Sequence, residues 1–171
     1  MHLPPLVGWD TIPCMAAVGR FERAWIDTEE WAMGQLDALA TRLGRGSTMP
    51  AHLLTGLAGE RAAYFELRRC GYKVVARRWT SARLRGEIDL IAWDGETLCF
   101  VEVKSRTARD ITPAESAIDD HKRDTLRAMS RAYLRTLPEK DRSTIRIRFE
   151  IIAVYLLKDA TELEIFPATF S

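Results

Sequence analysis

Alternating apolar and polar positions over residues 87–103 predict a β-hairpin. Two runs of high β propensity, EIDLIAW and TLCFVEV, flank the pair Asp94-Gly95. An Asp-Gly pair between such runs is a strong hairpin signal, because both turn residues must tolerate positive φ. If those two residues form the whole loop, Glu87 lies directly opposite Glu102.

The two faces of this hairpin differ in character, because side chains alternate across a strand. One face carries acids and a lysine: Glu87, Asp89, Glu102 and Lys104. In the expected register Asp89 faces Phe100 and lies diagonally from Glu102, roughly 7–8 Å away at the backbone. A three-residue loop would separate these carboxylates. The opposite face is apolar and is the expected core face: Ile88, Leu90, Ala92, Val101 and Val103.

Apolar residues at helical spacing predict three long helices, at residues 21–43, 50–70 and 114–137. Glu60 interrupts the apolar stripe of the second helix. A carboxylate on such a stripe rarely lacks a partner, so Glu60 either pairs with a buried arginine, caps an amide, or points at the acidic end of the hairpin. The residues expected to be buried are Leu53, Leu57, Tyr64 and Leu67 in the second helix and Leu126, Met129, Tyr133, Leu134 and Leu137 in the third.

Three further strands are predicted at residues 72–79, 145–155 and 163–166, with the last at an edge of the sheet. The order of elements predicts an α/β fold, a mixed sheet of about five strands flanked by helices. We expect an N-terminal extension with a helix at residues 1–48 and a domain with its own core at residues 49–171. The helix of the extension is moderately amphipathic and docks either on this domain or on a second subunit. Its apolar members are Trp25, Trp31, Leu36, Leu39 and Leu43.

Basic residues are concentrated in one block, although the net charge of the chain is only +1. Residues 68–85 contain seven basic residues and no acid, namely Arg68, Arg69, Lys73, Arg77, Arg78, Arg83 and Arg85. Such a block is either a solvated surface or a grip on a polyanion. The third helix adds a basic ridge with the same two interpretations, and Lys122 beside it leans towards the acidic site. The ridge consists of Arg123, Arg127, Arg131 and Arg135.

The acidic hairpin face also has two interpretations. It is a solvated outer face, as in many antiparallel hairpins, or it binds a cation. Directly opposed acids such as Glu87 and Glu102 destabilise a sheet unless a cation lies between them, which favours a metal site. Oxygen ligands suit Mg²⁺ or Mn²⁺ rather than zinc, and the three cysteines form no CxxC pair.

Several segments together resemble the bacterial YraN-like proteins. These segments are Gly59-Glu60-xx-Ala63, Gly71-Tyr72, GEIDLI from Gly86, FVEVKSR from Phe100 and Arg148-Phe149-Glu150-Ile151. The resemblance covers about Leu53 to Phe166, and the pairing of GEIDLI with FVEVKSR is its most specific part. Proteins of this family are predicted nucleases with a restriction-endonuclease-like, or PD-(D/E)xK, fold, distantly similar to Holliday-junction resolvases.

The resemblance implies roles for four residues. Asp89 and Glu102 would bind a metal ion, Glu60 would complete the site from its helix, and Lys104 would orient or activate the attacking water. Two positions depart from the pattern. Ile88 stands where many such sites have proline, and Glu150 stands where the family usually has aspartate, which leaves the role of Glu150 open.

The sequence therefore predicts a Mg²⁺- or Mn²⁺-dependent nuclease acting on nucleic acid, with DNA, including branched DNA, as the expected substrate. The expected phosphate contacts are Arg83, Arg85, Arg106, Lys122, Arg123 and Arg127. One alternative is a nucleic-acid-binding protein of the same fold with little turnover, and another is a structural protein whose acids form a solvated face. A homodimer is compatible with cutting two strands. No signal peptide or spanning apolar run is present, so we expect a cytoplasmic protein without a membrane partner.

Overall fold

The computed structural model describes residues 18–43, 49–108 and 120–168. Within these ranges the chain forms four helices and five strands. They are α1 (Arg20–Arg42), α2 (Ala51–Arg69), β1 (Lys73–Ser81), β2 (Leu84–Asp94), β3 (Thr97–Arg106), α3 (Asp120–Leu134), α4 (Glu139–Arg142), β4 (Arg146–Leu156) and β5 (Thr161–Pro167). The first 17 residues and much of the segment before α3 lie outside the described ranges, so the prediction that the third helix begins at residue 114 is not tested.

The strands form one mixed sheet in the order β1-β2-β3-β4-β5. β3 and β4 are parallel, and the other neighbouring pairs are antiparallel. A parallel pair needs a long crossover connection, and α3 lies in the chain between β3 and β4. α2 covers one face of the sheet and α3 the other. The α/β, restriction-endonuclease-like architecture predicted from the sequence is confirmed, including the edge position of the last strand.

Each face of the sheet has its own apolar core. On the α3 side, Leu126 and Met129 pack against strand residues such as Phe100 and Ile151. On the α2 side, Ala63 and Leu67 pack against a second set of strand residues. That set is Leu90, Ala92, Cys99, Val101, Ile152 and Val154. Burial of the sheet on both faces explains why β4 carries a continuous apolar run rather than alternation.

The hairpin between β2 and β3 has a different register from the one predicted. Asp94 pairs with Thr97, so the two loop residues are Gly95 and Glu96 rather than Asp94 and Gly95. Gly95 has φ of 56°, which suits the turn. The shift amounts to two residues in the pairing, an even number, so by itself it moves no side chain to the other face. The paired ladder ends at Leu90 and Val101, one step before the acids.

Strict alternation fails beside the acids. Ile88 packs in the α3-side core, whereas Leu90 lies in the α2-side core, so the prediction that both share a face is wrong. The adjoining strand changes face in the same region: Trp79 packs with α3-side residues, while the Arg77 guanidinium lies over the Tyr64 ring on α2. Between them Arg78 has φ of 47°, in the left-handed region.

The predicted apolar stripe of α2 is only partly buried. Leu67 is buried, but Leu53 is 48% exposed, and the other buried positions are Gly59, Ala63 and Phe65. The reason is close packing on β3. A Cβ on Gly59 would lie 1.8 Å from Ser105 Oγ. Small residues therefore set which side of α2 meets the sheet.

The apolar members of α1 do not face the domain. Ile26 is the buried residue of this helix, whereas the five predicted apolar members are all more than half exposed. Instead, acids on α1 pair with Arg61, Arg68 and Arg69 on α2. Two arginines of the predicted polyanion grip are therefore used inside the protein.

The division of the chain at residue 48 and the cytoplasmic location both stay predictions. Cys99 is a free, buried thiol. None of the helices in the described ranges is long and apolar enough to cross a membrane.

We expect Gly59→Ala to lower the free energy of unfolding by about 1–3 kcal/mol, because the added methyl group overlaps Ser105 and pushes α2 away from the sheet. Gly56→Ala is the matched control, since a Cβ there meets nothing within 4 Å and alanine favours a helix. Denaturant unfolding of both variants, and of Gly59→Ala with Ser105→Gly, checks the contact. Equal stability of the two single variants would contradict it.

Candidate metal centre

Three carboxylates from two elements converge at the end of the β2–β3 hairpin. Glu60 comes from the middle of α2, and Glu87 and Asp89 come from β2. One oxygen of each lies within 4.8 Å of the others, an arrangement that could hold a metal ion. The sequence predicted Glu60, Asp89 and Glu102 as ligands. Glu60 and Asp89 belong to this group, whereas Glu102 lies outside it. Glu87 was not predicted as a ligand, although it was placed on the same face.

Asp89 is the most buried member of this group, with 7% of the residue exposed. Its Oδ2 accepts a hydrogen bond from the Val103 amide at 2.7 Å, which ties β2 to β3 just beyond the paired ladder. Burial and then the charge of Glu102 raise the pKa of Asp89 to about 7, against the opposing effects of the Val103 amide and Lys122. The site therefore holds a carboxyl group that resists ionisation unless a cation is near.

Glu102 is held by two lysines. Its Oε1 lies 3.0 Å from Lys104 Nζ, and its Oε2 lies 2.8 Å from Lys122 Nζ. Glu102 itself is 3% exposed, whereas each lysine side chain is more than a quarter exposed. The two ammonium groups thus provide opposite charges for a buried carboxyl group. Lys122 was predicted to lean towards the site, and its ion pair with Glu102 confirms this.

Glu60 faces the site from the helix side, with 16% of its side chain exposed. Burial raises its pKa, and so do the charges of Glu87 and Glu102, while Arg78 and Arg77 act in the opposite direction. The sequence left three roles open for Glu60: pairing with a buried arginine, capping an amide, or pointing at the acidic end of the hairpin. The structure shows the third.

Arg78 is a member of the site that the sequence assigned only to the basic block. Its Nε lies 3.7 Å from Glu60 Oε2 and 3.4 Å from Glu87 Oε2. The left-handed backbone at this residue costs about 1 kcal/mol. No pattern in the sequence signals a positive φ at an arginine within a strand, so this contact could not have been found there.

The donor set suits a hard divalent cation. The converging groups are all carboxylate oxygens, the ligands that Mg²⁺ and Mn²⁺ prefer over the nitrogen and sulfur ligands typical of zinc. The raised pKa of Asp89 also favours a bound cation, because a cation would offset the repulsion among buried acids. The residues present thus fit a metal ion.

The matched residues of a protein-family model include this whole cluster. The model is described as "Uncharacterised protein family UPF0102" and matches residues 59–154. The chain belongs to this family. UPF0102 is the YraN family, so the resemblance noted in the sequence is confirmed.

Curated UPF0102 proteins align with about 70% of the chain. One from Koribacter versatilis is 46% identical over 121 residues, which cover 71% of this chain and 82% of that protein. One from Solibacter usitatus is 43% identical over 124 residues, covering 72% and 89%. A third, from Syntrophus aciditrophicus, is 34% identical over 123 residues, covering 71% and 92%. The match to the UPF0102 model begins at Gly59, so it contains the acids but not α1.

The six predicted phosphate contacts of this UPF0102 protein fall in three places. Arg83 and Arg85 are exposed where the β1–β2 hairpin turns, since β1 and β2 extend further than predicted and shorten the basic loop to a tight turn. Lys122 pairs with Glu102, as described above, and Arg106 lies at the end of β3. Two arginines of the α3 ridge form exposed pairs with neighbouring acids: Arg123 with Asp120 at 3.1 Å and Arg127 with Asp124 at 3.5 Å.

An open groove of about 580 Å³ adjoins the acids. Glu60 and Lys104 lie at its wall, with Arg106 from β3 and His52 and Thr55 from the first half of α2. The groove therefore leads from the surface to the two site residues that α2 and β3 supply.

Glu150 belongs to a different polar network on the same sheet. It is 1% exposed, and its Oε1 accepts hydrogen bonds from Arg148 Nε at 2.7 Å and from the Tyr72 hydroxyl at 3.1 Å. Arg148 also reaches Asp94 Oδ2 at 2.7 Å. This network ties β4 to the hairpin turn and to the start of β1. Its contacts give Glu150 a role in joining strands rather than a place among the site acids.

We expect Asp89→Asn to stabilise the metal-free protein at pH 8. The raised pKa means that folded Asp89 loses its proton only near pH 7, whereas the unfolded group loses it near 3.8. Its contribution to stability is therefore complete below about pH 4 and is lost as the pH rises to 7. Asparagine avoids this loss and keeps an oxygen for the Val103 amide, for a gain on the order of 2 kcal/mol.

Unfolding in urea with a chelator, at pH 4.5 and at pH 8, measures this effect. The gain should be large at pH 8 and small at pH 4.5. Asp159→Asn, at an exposed position between β4 and β5, should change stability little at either pH. A gain for Asp89→Asn that is independent of pH would rule out the titration of Asp89 as its cause.

Proposed function

We propose that this protein is a Mg²⁺- or Mn²⁺-dependent nuclease that hydrolyses phosphodiester bonds in DNA. The observation that carries the proposal is the cluster of three carboxylates, Glu60, Glu87 and Asp89, beside the Lys104–Glu102 ion pair, with Glu60 and Lys104 lining an open groove. The basic groups nearby, on the β1–β2 turn and on α3, suit a polyanionic substrate. Membership in UPF0102 is compatible with this activity, but the description of the family states no activity.

Asp89, Glu60 and Glu87 would hold the metal ion, with Glu102 beside them. A bound divalent cation neutralises phosphoryl oxygens and makes hydroxide accessible near neutral pH. The protein's own contribution is position. α2 and β2 fix the acids, and the Val103 amide orients the Asp89 carboxylate.

Lys104 is the residue we assign to the attacking water. Its Nζ is 3.0 Å from Glu102 Oε1, so the ammonium group is anchored while 30% of the side chain remains open to the surface. A cationic ammonium group beside a water molecule favours its deprotonation and stabilises charge on the phosphate. Lys122, on the other oxygen of Glu102, holds that carboxylate in place.

Two groups of basic side chains would hold the nucleic acid. Arg83 and Arg85 project from the β1–β2 turn, and Arg106 lies in the groove. None of these contacts reads base identity, because backbone contacts position a duplex without specifying its sequence. The alternative function is a binding protein of the same fold with little turnover, which shares the basic groups but has no need of the acids.

Lys104→Ala should abolish metal-dependent cleavage while leaving DNA binding nearly intact, because the ammonium group acts at the reacting centre. The measurement is cleavage of labelled single-stranded, duplex, flap and four-way-junction DNA with Mg²⁺, Mn²⁺ or EDTA. Asp89→Ala should be equally inactive and should also lose the rise in melting temperature that the metal ion gives the wild type. Lys158→Ala, exposed between β4 and β5, is the control and should cut normally.

The outcomes separate the two functions. Cutting that needs metal and is lost with Lys104 supports the nuclease. Tight, salt-sensitive binding by the wild type without cutting any of the four DNAs supports the binding protein. Cleavage that survives in EDTA would overturn the metal-dependent proposal.

Replacing Arg83 and Arg85 together by alanine should weaken binding to all four DNAs by a similar factor. If each arginine contacts one phosphate, the slope of log affinity against log salt concentration should fall by about 2. Fluorescence anisotropy at several salt concentrations measures both quantities. A control with Arg142→Ala tests a basic residue whose guanidinium bonds the carbonyl oxygens of Leu137 and Arg135 instead. An unchanged salt slope in the double variant would remove these two arginines from the interface.

A further inference from the structure

α1 meets the domain through charged residues. Asp27 and Glu30 pair with Arg69, Glu29 pairs with Arg68 at 2.7 Å, and Asp37 pairs with Arg61. Ile26, 1% exposed, is the apolar contact on the same side. The contact is antiparallel, since positions early in α1 meet positions late in α2. One side of α1 is therefore fully used by its own domain.

The opposite side of α1 is an apolar stripe. Helical geometry, at 100° per residue, places its five large members within about 60° of arc. They are Phe21, Trp25, Leu36, Leu39 and Leu43, with 92%, 70%, 65%, 52% and 64% of each residue exposed. Soluble monomers rarely leave a continuous apolar strip of this kind in water, and such strips mark contact surfaces.

The charges on α1 argue against a lipid or nucleic-acid partner. The helix contains five acids and three arginines. Helices that lie on membranes carry lysine and arginine on the polar face, and phosphate backbones attract the same charges. The polar face of α1 is instead acidic and occupied by α2. A partner for the stripe must offer an apolar surface and little negative charge.

A second copy of the chain meets these conditions, because four of the five acids of its α1 are already paired with arginines of α2. Two aromatic and three leucine side chains of this exposure present on the order of 600 Å² on each copy, or on the order of 1,200 Å² for a pair. That area reaches the lower range of specific protein interfaces.

We propose that α1 forms an isologous homodimer with α1 of a second copy through the apolar stripe. Ala32 lies on the stripe at its midpoint, where a small side chain allows close approach of the two helices. A two-fold pair needs no further partner to cover both stripes. The proposal stands apart from the nuclease activity, because α1 lies outside the residues that carry the acids.

Sedimentation velocity of the full-length protein, from about 1 to 100 μM, is the first test. We expect the wild type to be a dimer over most of this range. Trp25→Glu should be monomeric, because it places a charge in the centre of the buried stripe. Trp31→Glu is the matched control: Trp31 is 66% exposed on the same helix but lies well away from the stripe, and this variant should remain a dimer.

Far-UV circular dichroism and the melting temperature show whether each variant keeps α1 folded on α2. Vesicles of neutral and anionic lipid test the competing occupant by flotation. A wild type that is monomeric at 100 μM, or that floats with vesicles, overturns the proposal. Equal effects of the two tryptophan changes also overturn it, since they would show that the stripe has no special role.

Discussion

The repulsion among buried carboxylates at one end of the β2–β3 hairpin is the constraint to which the surrounding structure responds. Asp89 and Glu102 are nearly inaccessible to water, and Glu60 and Glu87 lie close by. Water cannot screen these charges well, so the protein must supply the opposing ones. It does so from three separate elements: β3 gives Lys104, α3 gives Lys122 and β1 gives Arg78. The site thus depends on both faces of the sheet being covered, because the helices that bury it also contribute its residues.

The contact between Gly59 and Ser105 determines how closely α2 can lie on the sheet. It stands one residue from Glu60 and one residue from Lys104, on the two elements that wall the groove. A small change in helix position would therefore move an acid and a lysine relative to each other. A single added methyl group at Gly59 would therefore alter both the packing of α2 and the positions of the site residues.

Much of the fold follows from local patterns, and the errors have physical causes. All five strands and both N-terminal helices occur near their predicted positions, because apolar residues recur in each at the spacing of a strand or a helix. The hairpin register was missed because Asp94-Gly95-Glu96 allows two turns of equal length, and the chain uses Gly95 as the first loop residue. The face of α2 was missed because glycine and alanine carry no hydrophobic signal, although they pack closest. Arg78 joins the site at a left-handed backbone position in β1 that depends on tertiary packing.

The backbone of Arg78 has a consequence for anyone who redesigns this protein. A glycine at this position would adopt the same conformation without strain, so backbone strain alone favours replacing the arginine. That change would remove one of the positive charges that lie beside the site acids. Backbone conformation and electrostatics thus favour different residues at position 78, and a redesign that relieves the strain must supply the lost charge elsewhere.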